Sequence, residues 1–414
     1  MNEEFGDYVD FEGHGQLELA QIALDRGEDE TALDLAEEYL EKHPHNIEAL
    51  NLCAVAATNL QDYPKALALY RTASTYDPKN GAIHHNFGVL LEKIGRLEEA
   101  LQHLDLSLQL QPDFPEAYIN RGNILDELGQ TEDALAMYDE ALRRMPDAAE
   151  AYYNKGYALN RLGRYEAALE SFELAMEANP EDPACLNGLG YALSGLDRNE
   201  EAIRYYDQAI AKSDDAASYY YNRGVGHIRL HELDKGLADL DKTLQLDPDF
   251  GEALLEKATL LFDNDREQEA FAALDDADKV APESPEPPFY RAILYERQGE
   301  LEKALACLEE SLSRDPDSLY TLNNKGNVLM DLGQLDEALA CFDAILQHDV
   351  RYPLAHYNRA CVFARQGKEQ ETLKELDIVA SQDVRLMEDA RKDPDFEWLH
   401  NNPSFQKLTK PKKA

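Results

Sequence analysis

The chain has 414 residues, with 82 acidic against 40 basic side chains for a net charge of −42, and is 44% hydrophobic with 9% aromatics. That balance builds a buried core and excludes disordered and fibrous classes. A field of this sign repels DNA, RNA and anionic lipid, so neither nucleic acid nor a membrane is expected as a partner.

The first residues, Met1 to Asp10, carry acid where a secretory signal needs Lys or Arg. No apolar run approaches the roughly 20 residues of a membrane helix, and a soluble, cytoplasmic protein is expected. Residues 1–12 read as an acidic segment in which Phe5, Tyr8 and Phe11 stand three apart, ready to cover whatever apolar face follows.

From residue 13 a repeat sets the organisation. Prolines fall at Pro44, Pro78, Pro112, Pro146, Pro180, Pro248, Pro282 and Pro316, with every gap 34 residues or, across Asp214, 68. Val350 and Val384 continue the register after the prolines stop. A small residue follows each mark by ten positions (Ala54, Gly88, Gly122, Gly156, Gly190, Gly224, Ala258, Ala292, Gly326, Ala360), and another precedes it by twelve (Ala32 through Ala338, with Thr372 last). Tyr118, Gly122 and Leu125 are spaced four and three, as are Ala134, Tyr138 and Ala141, so each set lies on one face of a helix. Each period is a helical hairpin whose small residues let its two helices approach. Gly95, Gly129, Gly163, Gly299, Gly333 and Gly367 mark the inner turn, Asp-Pro steps stop the second helix, and Pro115, Pro183, Pro285 and Pro353 open the next. Pro287-Pro288 is expected to shorten the first helix of the ninth hairpin.

This pattern resembles the tetratricopeptide repeat family, whose unit is a 34-residue helix-turn-helix with small, aromatic and proline positions in this order. The expected fold is all-α, a right-handed α-solenoid of about eleven such units (13–46, 47–80, 81–114, 115–148, 149–182, 183–216, 217–250, 251–284, 285–318, 319–352 and 353–386). Residues 387–414, with Phe396, Trp398, Leu399 and Phe405, are expected to close the last apolar face before a short basic tail at Lys407, Lys410, Lys412 and Lys413. The repeats leave 40 residues outside them, fewer than the roughly 50 an independent domain needs, so no fused catalytic domain is expected.

The resemblance implies that first helices line a concave wall. On them, two residues before the first small column, stand Asn86, Asn120, Asn154, Asn222, Asn324 and Asn358, although asparagine is a mediocre helix former. An amide carries donor and acceptor, so a row of them can pair with successive N–H and C=O groups of an extended peptide without reading its side chains. The column is similar to the asparagine ladder in the superhelical domain of O-linked N-acetylglucosamine transferase, whose catalytic part has no counterpart here. A second reading stands beside it, in which the amides bond the neighbouring repeat. Gly188, Glu256 and Tyr290 interrupt the column, which leaves either one groove or two shorter ones. Tyr153, Tyr157, Tyr191, Tyr221 and Tyr357, with Asn123 and Asn327, share the same face and can either tune ligand choice or pack between repeats.

Arg121, Lys155, Arg223, Lys257, Arg291, Lys325 and Arg359 form a cationic row expected to pack its stems between repeats and meet nearby carboxylates. His227 stands where sister repeats place leucine and His231 at the turn glycine, so neither reads as a metal ligand. The five cysteines have no zinc-like spacing and are expected reduced and buried. No nucleophile, base or phosphate loop groups together. The sequence therefore points to a non-enzymatic interaction scaffold, without cofactor or metal, that holds an extended segment of a protein partner in its groove. The alternative is a structural, assembly or regulatory subunit acting through its acidic outer surface or self-association.

Overall fold

The computed structural model describes residues 11–178 and 180–410, without the side chains of residues 11–14 and Val384. Phe5, Tyr8, Lys412, Lys413 and the side chain of Phe11 thus lie outside the described residues. All regular structure among the described residues is helical. First helices run Phe11–Asp25, Ile47–Asn59, Gly81–Lys93, Pro115–Glu127, Ala149–Arg161, Pro183–Gly195, Ala217–Arg229, Gly251–Asp263, Glu286–Arg297, Leu319–Asp331 and Pro353–Arg365. Their second helices run Asp29–Lys42, Tyr63–Tyr76, Leu97–Leu110, Thr131–Arg144, Tyr165–Met176, Asn199–Lys212, Leu233–Leu246, Glu267–Val280, Leu301–Arg314, Leu335–His348 and Glu369–Gln382. Residues 1–230 and 231–414 form two compact units, each an α-solenoid, divided at the turn after Ala217–Arg229.

Local chemistry sets these ends. Asn46, Asn80 and Asp182 accept the amides of Ala49, Ile83 and Cys185 at 2.8, 3.2 and 2.8 Å, satisfying donors that a helix start leaves open. Pro115, Pro183 and Pro353 sit in first turns, where the missing N–H costs nothing. In the ninth hairpin Pro287 and Pro288 also fall in the first turn, so the helix merely starts at Glu286 and runs 12 residues instead of 13. The turn position is left-handed throughout. Glycine takes it at Gly95, Gly129, Gly163, Gly299, Gly333 and Gly367, as well as Gly27, whereas Gln61, Asp197, His231 and Asp265 hold φ between 57° and 62° at the cost an L side chain incurs there.

The two small columns form the seam of each hairpin. Ala32, Ala66, Ala100, Ala134, Ala168 and Ala202 are fully buried. Opposite the other column the second helix places one large side chain, and in seven hairpins the two sizes compensate, while Ala54 with Tyr70, Gly88 with Leu104 and Gly224 with Leu240 depart from this. Tyr138, Phe172, Tyr206 and Phe342 face Gly122, Gly156, Gly190 and Gly326, while Leu274, Leu308 and Leu376 occupy that position in hairpins whose first helix carries Ala258, Ala292 and Ala360. A Cβ at Gly122 would stand 2.5 Å from the Tyr138 ring, closer than any side chain can sit.

Successive first helices touch one another through the first unit, and in the second between Gly251–Asp263 and Glu286–Arg297 and between Leu319–Asp331 and Pro353–Arg365, while successive second helices make at most marginal contact. First helices therefore form the narrower inner layer. The cationic row fastens the layers: each member pairs with a carboxylate 16 residues earlier, on the second helix of the preceding hairpin. The pairs are Arg121–Asp105, Lys155–Asp139 and Arg223–Asp207 in the first unit, and Lys257–Asp241, Arg291–Asp275, Lys325–Glu309 and Arg359–Asp343 in the second, at 2.6 to 3.3 Å. Half exposed, each contributes roughly 0.2–1 kcal/mol and fixes the order of stacking more than its strength.

At the carboxyl end three short segments, Val384–Ala390, Pro394–Leu399 and Pro403–Leu408, lay Met387, Phe396, Leu399 and Phe405 against the last hairpins. All five cysteines are buried and unpaired.

Candidate functional site

Five of the six column asparagines spend an amide N–H on the first helix of the preceding hairpin. Asn86 donates to Asn51 Oδ1 at 3.0 Å, Asn222 to Asn187 Oδ1 at 3.0 Å and Asn358 to Asn323 Oδ1 at 2.8 Å. Asn120 donates to His85 Nε2 at 2.8 Å, which leaves the imidazole proton on Nδ1, facing Asn86 Oδ1 at 3.0 Å. Burial pushes the His85 pKa down and keeps that ring neutral. One directed chain, Asn120 to His85 to Asn86 to Asn51, thus threads three first helices.

A simple rule governs the partner. The acceptor stands one position before the asparagine column in the preceding hairpin, and it is polar at Asn51, His85, Asn187 and Asn323. Where that position is apolar the amide turns elsewhere: behind Ile119, Asn154 donates to Asn123 Oδ1 at 2.8 Å, and behind Phe289, Asn324 bonds its own Tyr320 carbonyl at 2.9 Å. Each tie contributes on the order of 1 kcal/mol. Neighbour bonding, the second reading of the column, is present in the structure. It leaves Oδ1 and one N–H of Asn120, Asn154 and Asn222 without a partner among the described residues, in half-buried positions on the inner layer.

The gap at Gly188 has a steric cause. The Phe172 ring lies 2.4 Å from where its Cβ would stand, and the Gly188 carbonyl accepts Asn160 Nδ2 at 3.1 Å. No asparagine fits there without moving a fully buried ring.

The tyrosines divide. Tyr153 and Tyr157 cross edge to face at 4.9 Å and both pack on Phe172, with Tyr157 Oη donating to the Ala184 carbonyl at 3.1 Å. Tyr191 is 46% exposed, and Tyr221 is half-buried. Asn123 accepts both Tyr138 Oη and Asn154, whereas Asn327 makes no side-chain hydrogen bond among the described residues. Tyr357 does not face a groove. It is buried, with Oη donating to Asp393 Oδ2 at 2.7 Å and its ring edge-on to Phe396, because the closing segment covers it. Asn358 is only 8% exposed beside it, so in the second unit Asn324 and Asn327 are the accessible members of the set.

In the first unit these residues line two cavities on the first-helix face. One, about 310 Å³, is bounded by Asn123, Tyr153, Asn154 and Arg161; the other, about 210 Å³, by Tyr191, Tyr221, Asn222 and Arg229. Larger clefts of about 540 and 570 Å³ open between second helices, over Lys155 and Lys257. Those follow from the splay of the outer layer and are lined by mixed charges, among them Glu132, Arg164 and Glu170 in one and Asp249, Glu269, Asp276 and Lys279 in the other.

Tetratricopeptide repeat models match residues 57–119, 119–183, 159–222, 225–285 and 295–360, well over half of the chain. The chain belongs to the tetratricopeptide repeat (TPR) family. Over 110 residues it is 28% identical to protein FlbA of Caulobacter vibrioides, a stretch covering 26% of this chain and only 18% of FlbA. The crystal structure of yeast Tom70 superposes with a TM-score of 0.54 at 15% identity, over 96% of this chain and 99% of that one, and shows the fold alone. A TPR protein from Parabacteroides merdae matches 56% of the chain, and 93% of its own, at 21% identity with a TM-score of 0.49. TPR proteins generally mediate protein–protein contacts and the fold is typically a non-catalytic scaffold. No described helix of this TPR chain is long and apolar enough to cross a membrane.

Two titratable clusters involve residues of TPR first helices. Cys361, Asp393 and Asp395 converge near the carboxyl end, but Tyr357 and Arg365 take the carboxylates and burial pushes the thiol pKa well up, so it stays a neutral thiol. In the first unit, burial and the nearby Glu127 and Glu150 carboxylates push Glu92 from its ordinary 4.5 to about 7, against a smaller opposing effect of Lys93. A carboxyl raised on folding stabilises the fold below its unfolded pKa, and that contribution is lost as pH rises through 7. Glu92→Gln is therefore expected to raise the denaturation midpoint at pH 8 and change little at pH 4.5. The difference is on the order of 1 kcal/mol once partial solvent screening is allowed for. Urea melts of both proteins at the two pH values check it.

Proposed function

We propose that this TPR protein is a non-enzymatic scaffold that holds an extended segment of a protein partner along its first-helix face, chiefly in the first unit. The observation that supports this reading is the set of half-satisfied amides at Asn120, Asn154 and Asn222. Each has its plane fixed by a bond to the preceding hairpin and keeps one donor and one acceptor for a ligand backbone. Fixing the amide beforehand lowers the ordering cost of binding. Asn86 shares the donor side of this role, Asn123 and Tyr153 border it, and Tyr191 and Tyr221 offer rigid contact area. The reading takes residues 13–386 as the repeat array and 387–414 as its closing segment.

Because the asparagines have two jobs, the test must separate them. Replacing Asn51 and Asn187 with Ala removes two ties while leaving the column intact; replacing Asn86 and Asn222 removes the same two ties, the acceptor of His85 Nδ1 and the groove amides. At about 1 kcal/mol per tie, the second pair is expected to lose about 1 kcal/mol more stability than the first. Only the second pair is expected to weaken binding of a purified, affinity-captured partner, about fivefold per lost hydrogen bond. Equal binding by both pairs would remove the groove assignment. Binding by wild type that vanishes at moderate salt would point instead to the acidic outer surface.

A further inference from the structure

The two inner cavities of the first unit are one site repeated two hairpins, or 68 residues, further on. Tyr138, Tyr153, Asn154 and Arg161 of the first recur as Tyr206, Tyr221, Asn222 and Arg229 of the second. The carboxylates do not recur. Asp126 and Glu127 line the first cavity, and Ser194 and Gly195 replace them in the second. Glu92 and Glu150, close enough to the first cavity to act on Tyr138, become Asn160 and Ser218.

The electrostatic consequence is a reversal. In the first cavity Arg161 is neutralised by Asp126 Oδ2 at 3.0 Å, which leaves Glu127 and Glu150 in excess, and Asp126 Oδ1 is buried without a partner. In the second, Arg229 spends one nitrogen on the Ser194 carbonyl and hydroxyl at 3.0 and 2.8 Å and makes no ion pair among the described residues. One residue in five of this chain is Asp or Glu, so a cavity with a guanidinium and no lining carboxylate runs against its composition. Tyr191 and Tyr221 line the same cavity with partly exposed rings that can stack on a ligand side chain while a carboxylate meets the charge.

We propose that the groove reads charge: a basic side chain of the bound segment enters the cavity at Asp126 and Glu127, and an acidic one enters the cavity at Arg229. This rests on the groove reading above and adds the chemistry of its occupant. Packed helices stand about 8–10 Å apart, so cavities two first helices apart are separated by roughly 16–20 Å. An extended chain rises about 3.3 Å per residue, which puts the two charges about five or six residues apart.

The probe is a set of labelled 12-residue peptides of Gly, Ser and Val carrying one Lys and one Glu at spacings of two to nine, in both orders, with an uncharged control, each titrated into the full-length chain. Affinity is expected to peak at a spacing of five or six in one order, about fivefold above the control. Arg229→Gln is expected to abolish the gain from Glu and keep the gain from Lys; Asp126→Asn with Glu127→Gln is expected to do the reverse. Gains independent of spacing, or lost together in either variant, would overturn the inference. An uncharged peptide that binds as tightly as the best charged one overturns it and leaves the groove reading standing, whereas no binding by any peptide overturns both.

Discussion

Gly188→Asn, which would fill the gap in the asparagine column between Asn154 and Asn222, is expected to destabilise the first unit by about 1–3 kcal/mol instead of adding grip. The Phe172 ring is wedged between two glycines, 2.8 Å from the Cβ position of Gly156 and 2.4 Å from that of Gly188. The ring is fully buried and cannot swing outward, because Tyr153 and Tyr157 hold it edge to face at 6.3 and 5.2 Å. Any side chain at Gly188 must displace it. Removing the ring instead, as Phe172→Ala, opens a cavity at the centre of the fifth hairpin and is expected to cost about 3–5 kcal/mol. The two changes share one volume and so are not additive: Gly188→Asn combined with Phe172→Leu is expected to lose less than the sum of the single changes. Urea denaturation midpoints of wild type, Gly188→Asn, Phe172→Leu and the double variant check this, and strict additivity would show that the ring and the glycine do not compete.

Phe396→Ala is expected to cost about 3–5 kcal/mol, confined to the carboxyl end of the second unit. Phe396 is fully buried, edge-on to Tyr357 at 5.8 Å and 6.0 Å from Phe405. The segment around it is tied down twice more, by Tyr357 to Asp393 and by Arg365 to Asp395 at 2.9 Å. A solenoid hairpin draws its stability from its neighbours, so a hairpin with an uncovered end opens first. Hydrogen exchange is expected to speed up over 353–408 in the variant while helices of residues 11–230 keep their wild-type rates. Uniform acceleration along the whole chain would contradict a capping role for this segment.

The hairpins were legible because their causes are local. A 34-residue beat of prolines, two columns of small residues and turn glycines each act within a few residues of where they stand. Where glycine was missing, phase marked the turn at His231, and the structure adds Gln61, Asp197 and Asp265 to the same left-handed position although their side chains resist it. The ion pairs of the cationic row followed from the same phase. What the sequence concealed is how side chains spend their hydrogen bonds across hairpins. The asparagine column suggested a ligand or a bond to the neighbouring repeat, while the partner of four of the six amides sat one position before the same column in the preceding hairpin, at Asn51, His85, Asn187 and Asn323, a pattern visible only when two repeats are compared diagonally. Tyr357 matched its sister tyrosines in phase and differs only because residues 393–405, beyond the repeat, fold over it. The gap at Gly188 looked like a lost ladder rung and is instead the space that Phe172 occupies.

The central claim is that the first-helix face, not the splayed outer layer, is where a partner lies. A photo-crosslinking side chain placed at Tyr191 on that face, and separately at Leu174 on a second helix, tests it directly; both positions are exposed, at 46% and 40%. The prediction is that Tyr191 crosslinks to a short extended stretch of the partner, mapped by mass spectrometry, and that Leu174 gives none. Crosslinks from Leu174 with none from Tyr191 would contradict it.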